Sequence, residues 1–347
     1  QNKKIDSGAS FENGTRKIQI ETIGLVNGWV DMLTQAASYL SFPFNNTYGI
    51  QMTSSSVQEE ITTSFHRPGG CCDITEKCQS AAETYDPENT AINATVNELC
   101  FKSAYYCTKY IRGPLAETQK YAPFDIGHYQ PDPFPYNYFI GFLNQDWVRE
   151  GLGVPVNFTS HSNLVFTGYI KTGTFALPWA LPALGGLLDS GVKVAMMYGD
   201  RDLDVNWIGG EQVSLKVNYS SSNQFSRSGY EDIILDGNHV AGSTRQYGNF
   251  SFSRVFEAGN RVPTYQPQAA YEIFMRAMFG KDIATGAIDV DDHYSSVGEP
   301  SSWHHRSALP KMPAPECYIW APKTCTSAQV QALADGTAWV RDYIVLD

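Results

Sequence analysis

Two aspartates near the middle of the chain are the first candidates for chemistry. Residues 192–198 are almost all apolar and lie between two glycines, as expected of a parallel strand buried on both faces. Asp200 and Asp202 follow at its carboxyl end, the edge of an α/β sheet where sites form. Such a carboxylate pair suits acid/base catalysis or metal binding. We predict that one of the two caps the turn and that Asp202 belongs to the site.

The cysteines indicate an oxidising environment. Five lie in one stretch and two bracket a loop near the end: Cys71, Cys72, Cys78, Cys100, Cys107, Cys317 and Cys325. This spacing is typical of disulfides, which persist outside the cytosol. A zinc site is the competing interpretation, but the cluster has no paired C-x-x-C motif and no histidine at ligand spacing. Because seven is odd, one thiol is free or bonded elsewhere.

Composition excludes several functional classes. The 347 residues are 42% hydrophobic and 13% aromatic, enough to bury a large core. A net charge of -11, with no cluster of Lys and Arg, argues against a nucleic-acid partner. The longest apolar run, residues 175–188, contains two prolines and two glycines and is too short to cross a bilayer. We therefore predict no membrane span.

Six N-x-[ST] sequons point to the secretory pathway, where the acceptor asparagine is used on surface segments. They begin at Asn13, Asn45, Asn93, Asn157, Asn218 and Asn249. The chain starts at Gln1 without a methionine or an apolar signal region, so we interpret it as a processed product or a fragment. Sequons and cysteines together predict a glycosylated protein that is secreted or vacuolar.

Hydrophobic patterns and caps predict the elements around the site. Residues 17–25 alternate as a strand that ends in a turn, and residues 31–40 form a helix with an aspartate cap. Residues 230–235 and 250–257 are two further strands. The clearest helix spans residues 267–279, between a first-turn proline and a glycine stop. Its predicted apolar side consists of Ala270, Ile273, Phe274, Ala277 and Phe279.

Several short segments resemble a known family. The Asp202 turn continues into Asn206-Trp-Ile-Gly-Gly210, and residues 256–263 read Phe-Glu-Ala-Gly-Asn-Arg-Val-Pro. Further matching segments are Leu25-Val-Asn-Gly-Trp-Val-Asp31, Arg67-Pro-Gly-Gly-Cys71, Pro133-Phe-Pro135, Gln246-Tyr-Gly-Asn-Phe-Ser251 and Tyr265-Gln-Pro267. Over nearly the whole chain they resemble the serine carboxypeptidases, most closely the secreted fungal ones.

The resemblance implies an α/β-hydrolase fold in a single domain, residues 1–347, with the N-terminal strands and the nucleophile elbow absent from this chain. It also implies a disulfide-rich helical cap inserted at about residues 42–168. A C-terminal segment, about residues 281–347, is expected to wrap the surface. By the family pattern Cys72 is the extra cysteine, which leaves for disulfides Cys71, Cys78, Cys100, Cys107, Cys317 and Cys325.

The same resemblance assigns the site. The family's catalytic serine lies in a Gly-Glu-Ser-Tyr-Gly-Gly elbow, and no such elbow occurs here. Asp202 takes the position of the orienting carboxylate, and Asn260 takes the position of the catalytic histidine. A carboxamide cannot accept and return a proton near pH 7. His239 is the candidate replacement base, although a histidine in a surface loop is the simpler interpretation.

The expected function follows from these assignments. The chain would be the C-terminal part of a serine carboxypeptidase-like protein, inactive or very weak, in a family that removes C-terminal residues through an acyl-enzyme. The alternative is a pseudoenzyme that binds a peptide or a protein without cleaving it. The expected partners are an N-terminal segment or chain carrying the serine elbow and a peptide. No cofactor, metal, nucleic acid or membrane is expected.

Overall fold

A five-stranded mixed sheet positions the predicted site. The computed structural model describes residues 5, 16, 18–118, 120–308, 311 and 316–346. The strands in these residues are β1 (Thr22–Val26), β2 (Tyr121–Ala122), β3 (Asp125–Tyr129), β4 (Lys193–Gly199), β5 (Glu231–Ile234), β6 (Val240–Tyr247), β7 (Phe250–Val255), β8 (Cys317–Tyr318), β9 (Trp339–Arg341) and β10 (Ile344–Leu346). The main sheet has the order β1-β4-β7-β6-β5.

Helices surround this sheet and form most of the segment between β1 and β4. The α-helices of the described residues are α1 (Met32–Ser38), α2 (Ser55–His66), α3 (Cys71–Tyr85), α4 (Ala94–Cys107), α5 (Gly113–Thr118), α6 (Tyr138–Leu143), α7 (Asp146–Leu152), α8 (Asn163–Lys171), α9 (Ala180–Asp189), α10 (Trp207–Lys216), α11 (Ser222–Arg227), α12 (Val262–Tyr265), α13 (Pro267–Met278) and α14 (Ser327–Asp335). Among them, none is both long and apolar enough to cross a bilayer.

The parallel part of the sheet brings three carboxyl ends side by side. β4 pairs in parallel with β1 on one side and with β7 on the other, and the register places Met197 next to both Val26 and Ser253. β6 and β5 complete the sheet in antiparallel orientation. Every residue of β4 after Lys193 is buried, which explains its almost uninterrupted apolar sequence.

The elements next to the site follow their local sequence signals. Asp31 is the N-cap of α1, and its carboxylate accepts a hydrogen bond from the Thr34 amide at 2.8 Å. β1 is shorter than predicted, because residues 18–20 precede it without regular structure, while residue 17 lies outside the described residues. The helix predicted at residues 267–279 is α13, with Ile273 buried.

The predicted apolar side of α13 is partly wrong. Phe274 and Phe279 are 56% and 68% exposed, whereas Arg276 is buried. The guanidinium of Arg276 donates from Nη1 to the carbonyl oxygens of Ile283 and Ala284 at 2.8 and 2.9 Å. An arginine that satisfies carbonyls of a following segment cannot be distinguished by hydrophobic periodicity from one that faces solvent.

β6 was not predicted from the sequence. Its buried residues include Ser243, Thr244, Arg245 and Gln246, so it lacks the apolar alternation of a strand. The polar side chains find partners outside the sheet: Arg245 donates from Nη2 to the carbonyl of Pro300 at 2.8 Å. The side-chain carbonyl of Gln246 accepts from the Ile283 amide at 2.8 Å. Tertiary contacts therefore stabilise this strand, although its sequence lacks the alternation of apolar residues that is typical of a strand.

The helical segment after β1 contains the expected disulfides. Cys71 bonds to Cys107, and Cys78 bonds to Cys100, so two bridges tie α3 to α4. A third bridge joins Cys317 to Cys325. Cys72 is a free thiol, partly buried.

The C-terminal segment accepts hydrogen bonds from side chains of the main sheet and then forms a small sheet of its own. Besides Arg245 and Arg276, the buried Arg254 anchors this segment by donating from Nη1 to the carbonyl of Ser302 at 2.7 Å. Residues 316–346 contain α14 and the three-stranded sheet β8-β10-β9. The segment that we expected to wrap the surface thus carries regular structure near its end.

Candidate active site

Asp202 lies at the carboxyl edge of the sheet and is fully buried. Its Oδ2 accepts hydrogen bonds from the side-chain amides of Asn27 at 2.7 Å and Asn260 at 2.9 Å. Two backbone amides complete the shell, with Asp204 donating to Oδ1 at 2.9 Å and Val205 donating to Oδ2 at 3.2 Å. The three side chains come from the ends of β1, β4 and β7, so the parallel strands bring together residues distant in sequence.

The environment of Asp202 favours a proton on its carboxyl group. Burial raises its pKa to about 7, while the hydrogen bonds from Asn260 and Asn27 act in the opposite direction. Neither amide carries a charge, so the desolvation of the carboxylate is only partly offset. A cationic imidazolium at position 260 would stabilise the carboxylate more strongly than the carboxamide that is present.

Asn27 is a site residue whose role we did not predict. It lies in a family-like segment, yet the sequence contains no signal that its side chain reaches Asp202. In the structure it adopts φ of 43° directly after β1, and its Oδ1 accepts from the Gly199 amide at 3.1 Å. An asparagine tolerates this left-handed conformation better than most residues. Asn27 therefore fixes the end of β4 and the Asp202 carboxylate together.

The hairpin β2–β3 holds both loops of the site through backbone hydrogen bonds. The Asn260 amide donates to the carbonyl of Phe124 at 2.8 Å, and the Leu203 and Asp204 amides both donate to the carbonyl of Pro123 at 3.0 Å. From the hairpin, the Ile126 amide donates to the carbonyl of Arg201 at 2.9 Å. Because these bonds involve only backbone atoms, no residue type in the sequence indicated them.

Gly259, which precedes Asn260, allows the β2–β3 hairpin to approach the asparagine loop closely. A Cβ atom at Gly259 would lie 2.3 Å from the carbonyl oxygen of Phe124 and 2.8 Å from the ring of Tyr265. Both distances are shorter than atomic contacts allow, so a larger residue would push the hairpin away from the asparagine loop. Gly259 thus permits the hydrogen bond between Asn260 and Phe124.

Asp200 is part of a structural ion pair. It is fully buried, its Oδ2 lies 3.0 Å from Nη2 of the equally buried Arg254, and its Oδ1 accepts from the hydroxyl of Tyr48 at 2.7 Å. The Glu257 amide also donates to Oδ1, at 2.9 Å. Asp200 and Asp202 have no common partner in these contacts. Among the residues that the structure describes, no group of three or more potential ligands is arranged for a metal ion.

The structure does not bring His239 to Asp202. His239 is exposed in the turn between β5 and β6, and it is absent from the hydrogen-bonding shell of Asp202 described above. A different histidine is embedded between carboxylates: Nδ1 of His128 lies 2.9 Å from Oδ2 of Asp132, and Nε2 lies 3.7 Å from Oδ2 of Asp125. His128 belongs to β3 of the hairpin that holds the two loops.

An apolar cavity of about 220 Å³ opens beside the Asp202 loop. Its walls include Met32 of α1, Phe166 of α8 and Val205 of the loop after β4, together with Trp29, Ile111 and Phe175, which lie outside the α-helices and β-strands. Arg112 and Asp204 also line it and form an ion pair with each other. The cavity therefore offers apolar walls with a neutralised pair of charges. Trp207 does not line this cavity, because it is fully buried against Arg254.

Comparison with known proteins places the chain in a family. The sequence profile of Peptidase_S10, serine carboxypeptidase, matches residues 3–280. Carboxypeptidase S1 homolog A of Trichophyton rubrum is 44% identical over 352 residues, which cover 99% of this chain and 54% of that protein. Carboxypeptidase Y homolog of Arthroderma benhamiae is 38% identical, and the matched region covers 56% of that protein. The chain thus spans about half the length of these relatives.

A solved structure agrees at the level of the fold. The prohormone-processing carboxypeptidase Kex1(delta)p of Saccharomyces cerevisiae superposes with a TM-score of 0.53 at 18% identity, covering 80% of this chain and 58% of that one. The predicted α/β-hydrolase architecture is therefore confirmed. Together with the profile match and the fungal relatives, it shows that the chain belongs to the serine carboxypeptidase family.

Proposed function

We propose that this chain supplies the aspartate and base positions of a carboxypeptidase-type site in which the base has been lost. The observation that carries the proposal is the hydrogen bond from Asn260 Nδ2 to Asp202 Oδ2 at 2.9 Å. An imidazole N–H would make the same contact in a catalytic triad. The carboxamide therefore keeps the loop of Asp202 and the loop of Asn260 in the arrangement that a triad needs. The amide cannot then pass a proton between a serine and a leaving group.

The energetic consequence is large. Loss of a triad base lowers kcat on the order of a million-fold, and binding and an oxyanion hole retain on the order of a thousand-fold over water. We therefore propose that cleavage of the last peptide bond is absent or very slow with Asn260 in place. Asp202 cannot replace the base directly, because it is fully buried beneath Asn27 and Asn260.

The attacking serine would come from an N-terminal segment or chain. β1 supports this partner: among the described residues it pairs only with β4, which leaves its other edge open. Parallel strands are normally covered, and an open edge offers backbone groups for another strand. A parallel strand added there would end beside Asn27, at the edge that holds Asp202.

The second candidate function is peptide binding without cleavage. The apolar cavity beside Val205 favours it, because the cavity remains open next to a site that lacks its base. A bound peptide would place an apolar side chain against Phe166 and Phe175. For either function, the three disulfides support passage through the secretory pathway.

The test supplies the nucleophile and then restores the base. The chain is joined to a segment carrying the Gly-Glu-Ser-Tyr-Gly-Gly elbow, and wild type, Asn260→His and the matched amide control Asn260→Gln are compared. Hydrolysis of an N-blocked dipeptide and fluorophosphonate labelling of the serine are measured. We expect Asn260→His to gain on the order of a thousand-fold or more over both amide forms.

Two other outcomes have distinct meanings. Turnover by wild type at the rate of Asn260→His would overturn the proposal, because another group would then act as the base. Calorimetric binding of the dipeptide by all three forms, with labelling confined to Asn260→His, would support a peptide-binding protein in its present form.

A further inference from the structure

The sequon at Asn249 differs from those at Asn45, Asn157 and Asn218 in how its side-chain amide is used, while Asn13 lies outside the described residues. Asn249 directly precedes β7, and its Nδ2 donates to two carbonyl oxygens, Leu188 at 3.0 Å and Val192 at 2.9 Å. Leu188 lies in the last turn of α9, where carbonyls lack partners within the helix. Val192 directly precedes β4. The Asn249 side chain therefore joins the end of a helix to the start of the central strand.

N-glycosylation is chemically incompatible with this pair of hydrogen bonds. In that reaction a lipid-diphosphate-linked oligosaccharide is the donor: a bond forms between the asparagine Nδ2 and the first sugar carbon. The bond between that carbon and the diphosphate oxygen breaks, the lipid diphosphate leaves, and Nδ2 loses one proton. A glycosylated asparagine keeps a single N–H, so at most one of the two carbonyls could remain bonded.

The surroundings of Asn249 add a steric obstacle. The two residues that complete its sequon, Phe250 and Ser251, are buried in β7 between two neighbouring strands. A sugar on Nδ2 would have to occupy the space between the end of α9 and the start of β4. A glycan at this position would therefore break at least one of the two hydrogen bonds that join α9 to β4.

Three other sequons have the opposite character. Asn45, Asn157 and Asn218 are exposed, and within the described part of the chain their side chains make no hydrogen bond. We propose that N-glycans attach at Asn45, Asn157 and Asn218, and that Asn249 remains unmodified in the folded protein. This assignment depends on the use of amide hydrogens and not on catalysis, so it stands independently of the proposed function.

The experiment is site-by-site glycan mapping. The protein is produced in a eukaryotic secretory host, and the folded fraction is treated with peptide N-glycosidase in heavy-oxygen water, which converts each modified asparagine to labelled aspartate. Peptide mass spectrometry then reads every site. We expect label at Asn45, Asn157 and Asn218 and none at Asn249. Label at Asn249 in the folded fraction, or its absence from any of the three exposed sites, would overturn the proposal.

Sequon-removing variants provide a control that leaves the Asn249 amide intact. Ser251→Ala destroys the sequon without touching Asn249, so the mass of the folded glycoprotein should change only by the lost oxygen atom. Thr159→Ala and Ser220→Ala should each remove one whole glycan. A glycan-sized loss in Ser251→Ala would contradict the assignment. If that variant is not recovered folded, the wild-type map alone decides the outcome.

A stability comparison separates a structural amide from a glycan acceptor. Asn249→Gln moves the amide and should lower Tm clearly, whereas the matched change Asn157→Gln should leave Tm of the enzymatically deglycosylated protein unchanged. Equal Tm values for the two variants would show that the Asn249 hydrogen bonds contribute nothing and would overturn their role in excluding the glycan.

Discussion

The carboxamide of Asn260 donates from Nδ2 to Oδ2 of Asp202 at 2.9 Å, while its backbone amide is held by the carbonyl of Phe124 at 2.8 Å. Asn260 is thus bonded on one side to the aspartate loop and on the other to the β2–β3 hairpin. The loops keep a defined arrangement although the residue has no basic group. Because of this, a single substitution can test whether only the proton acceptor is missing.

The carboxyl group of Asp202 should make stability depend on pH. Burial raises its pKa from 3.8 to about 7, so the folded chain binds this proton more tightly than the unfolded chain. Its contribution to the free energy of unfolding is fully present below about pH 4 and is lost as pH rises to about 7. The shift corresponds to about 4 kcal/mol. We expect Asp202→Asn to flatten this part of the profile, measured by urea unfolding at a series of pH values.

The control for this prediction is Asp236→Asn, which makes the same exchange at an exposed position in a turn. It should leave the slope between about pH 4 and pH 7 as in wild type. An equal slope in wild type and Asp202→Asn would contradict the prediction.

His128 should add a second, separate dependence on pH. The hydrogen bond to Asp132 raises its pKa above 6.5, Asp125 adds to the rise, and burial opposes it. Stabilisation by the imidazolium is fully present below 6.5 and is lost as pH rises through the raised value. His128→Gln should therefore reduce the loss of Tm between acidic and mildly alkaline buffer. The exposed His293→Gln should not, and an equal effect of both variants would argue against the prediction.

The buried ion pair of Asp200 and Arg254 should contribute strongly to the stability of the fold. Both side chains are fully buried, so Asp200→Asn leaves an unpaired guanidinium in the interior. We expect a loss of about 3–5 kcal/mol in the free energy of unfolding. The exposed pair of Asp73 and Lys77 is the comparison, where Asp73→Asn should cost about 1 kcal/mol or less. Similar losses in the two variants would contradict this account.

Cys72 should be the one reactive thiol of the non-reduced native protein. The other six cysteines are paired, and burial together with the nearby Glu76 carboxylate raises the Cys72 pKa. Its reaction with a disulfide reagent should be slow at neutral pH and faster as pH rises. Cys72→Ser should abolish the reaction at unchanged Tm, whereas removal of the Cys78–Cys100 bridge should cost about 2–4 kcal/mol. Detection of a second reactive thiol before unfolding would count against the pairing.

The cavity beside Val205 should select apolar side chains. Phe166 lines it and is 55% exposed, so Phe166→Lys is expected to fold while placing a charge in the binding space. Calorimetric affinity for a blocked dipeptide with an aromatic side chain should fall by about tenfold, since burying an apolar group contributes at least that much. Leu164→Lys on the same helix is 83% exposed and does not line the cavity, so it should bind like wild type. Unchanged affinity in Phe166→Lys would place the ligand elsewhere.

The sequence by itself determined the family, the buried strand before Asp202 and the aspartate cap of α1, because each depends on local pattern or residue type. Only the tertiary structure decided which amides surround Asp202, since Asn27 and Asn260 reach it from the ends of different strands. It also decided that Arg245, Arg254 and Arg276 lie inside, where carbonyls of the C-terminal segment accept their hydrogen bonds. Local sequence indicates which structure a residue prefers. Its hydrogen-bond partners come from segments that are distant along the chain, and the spacing of residues in the sequence does not show which segments meet.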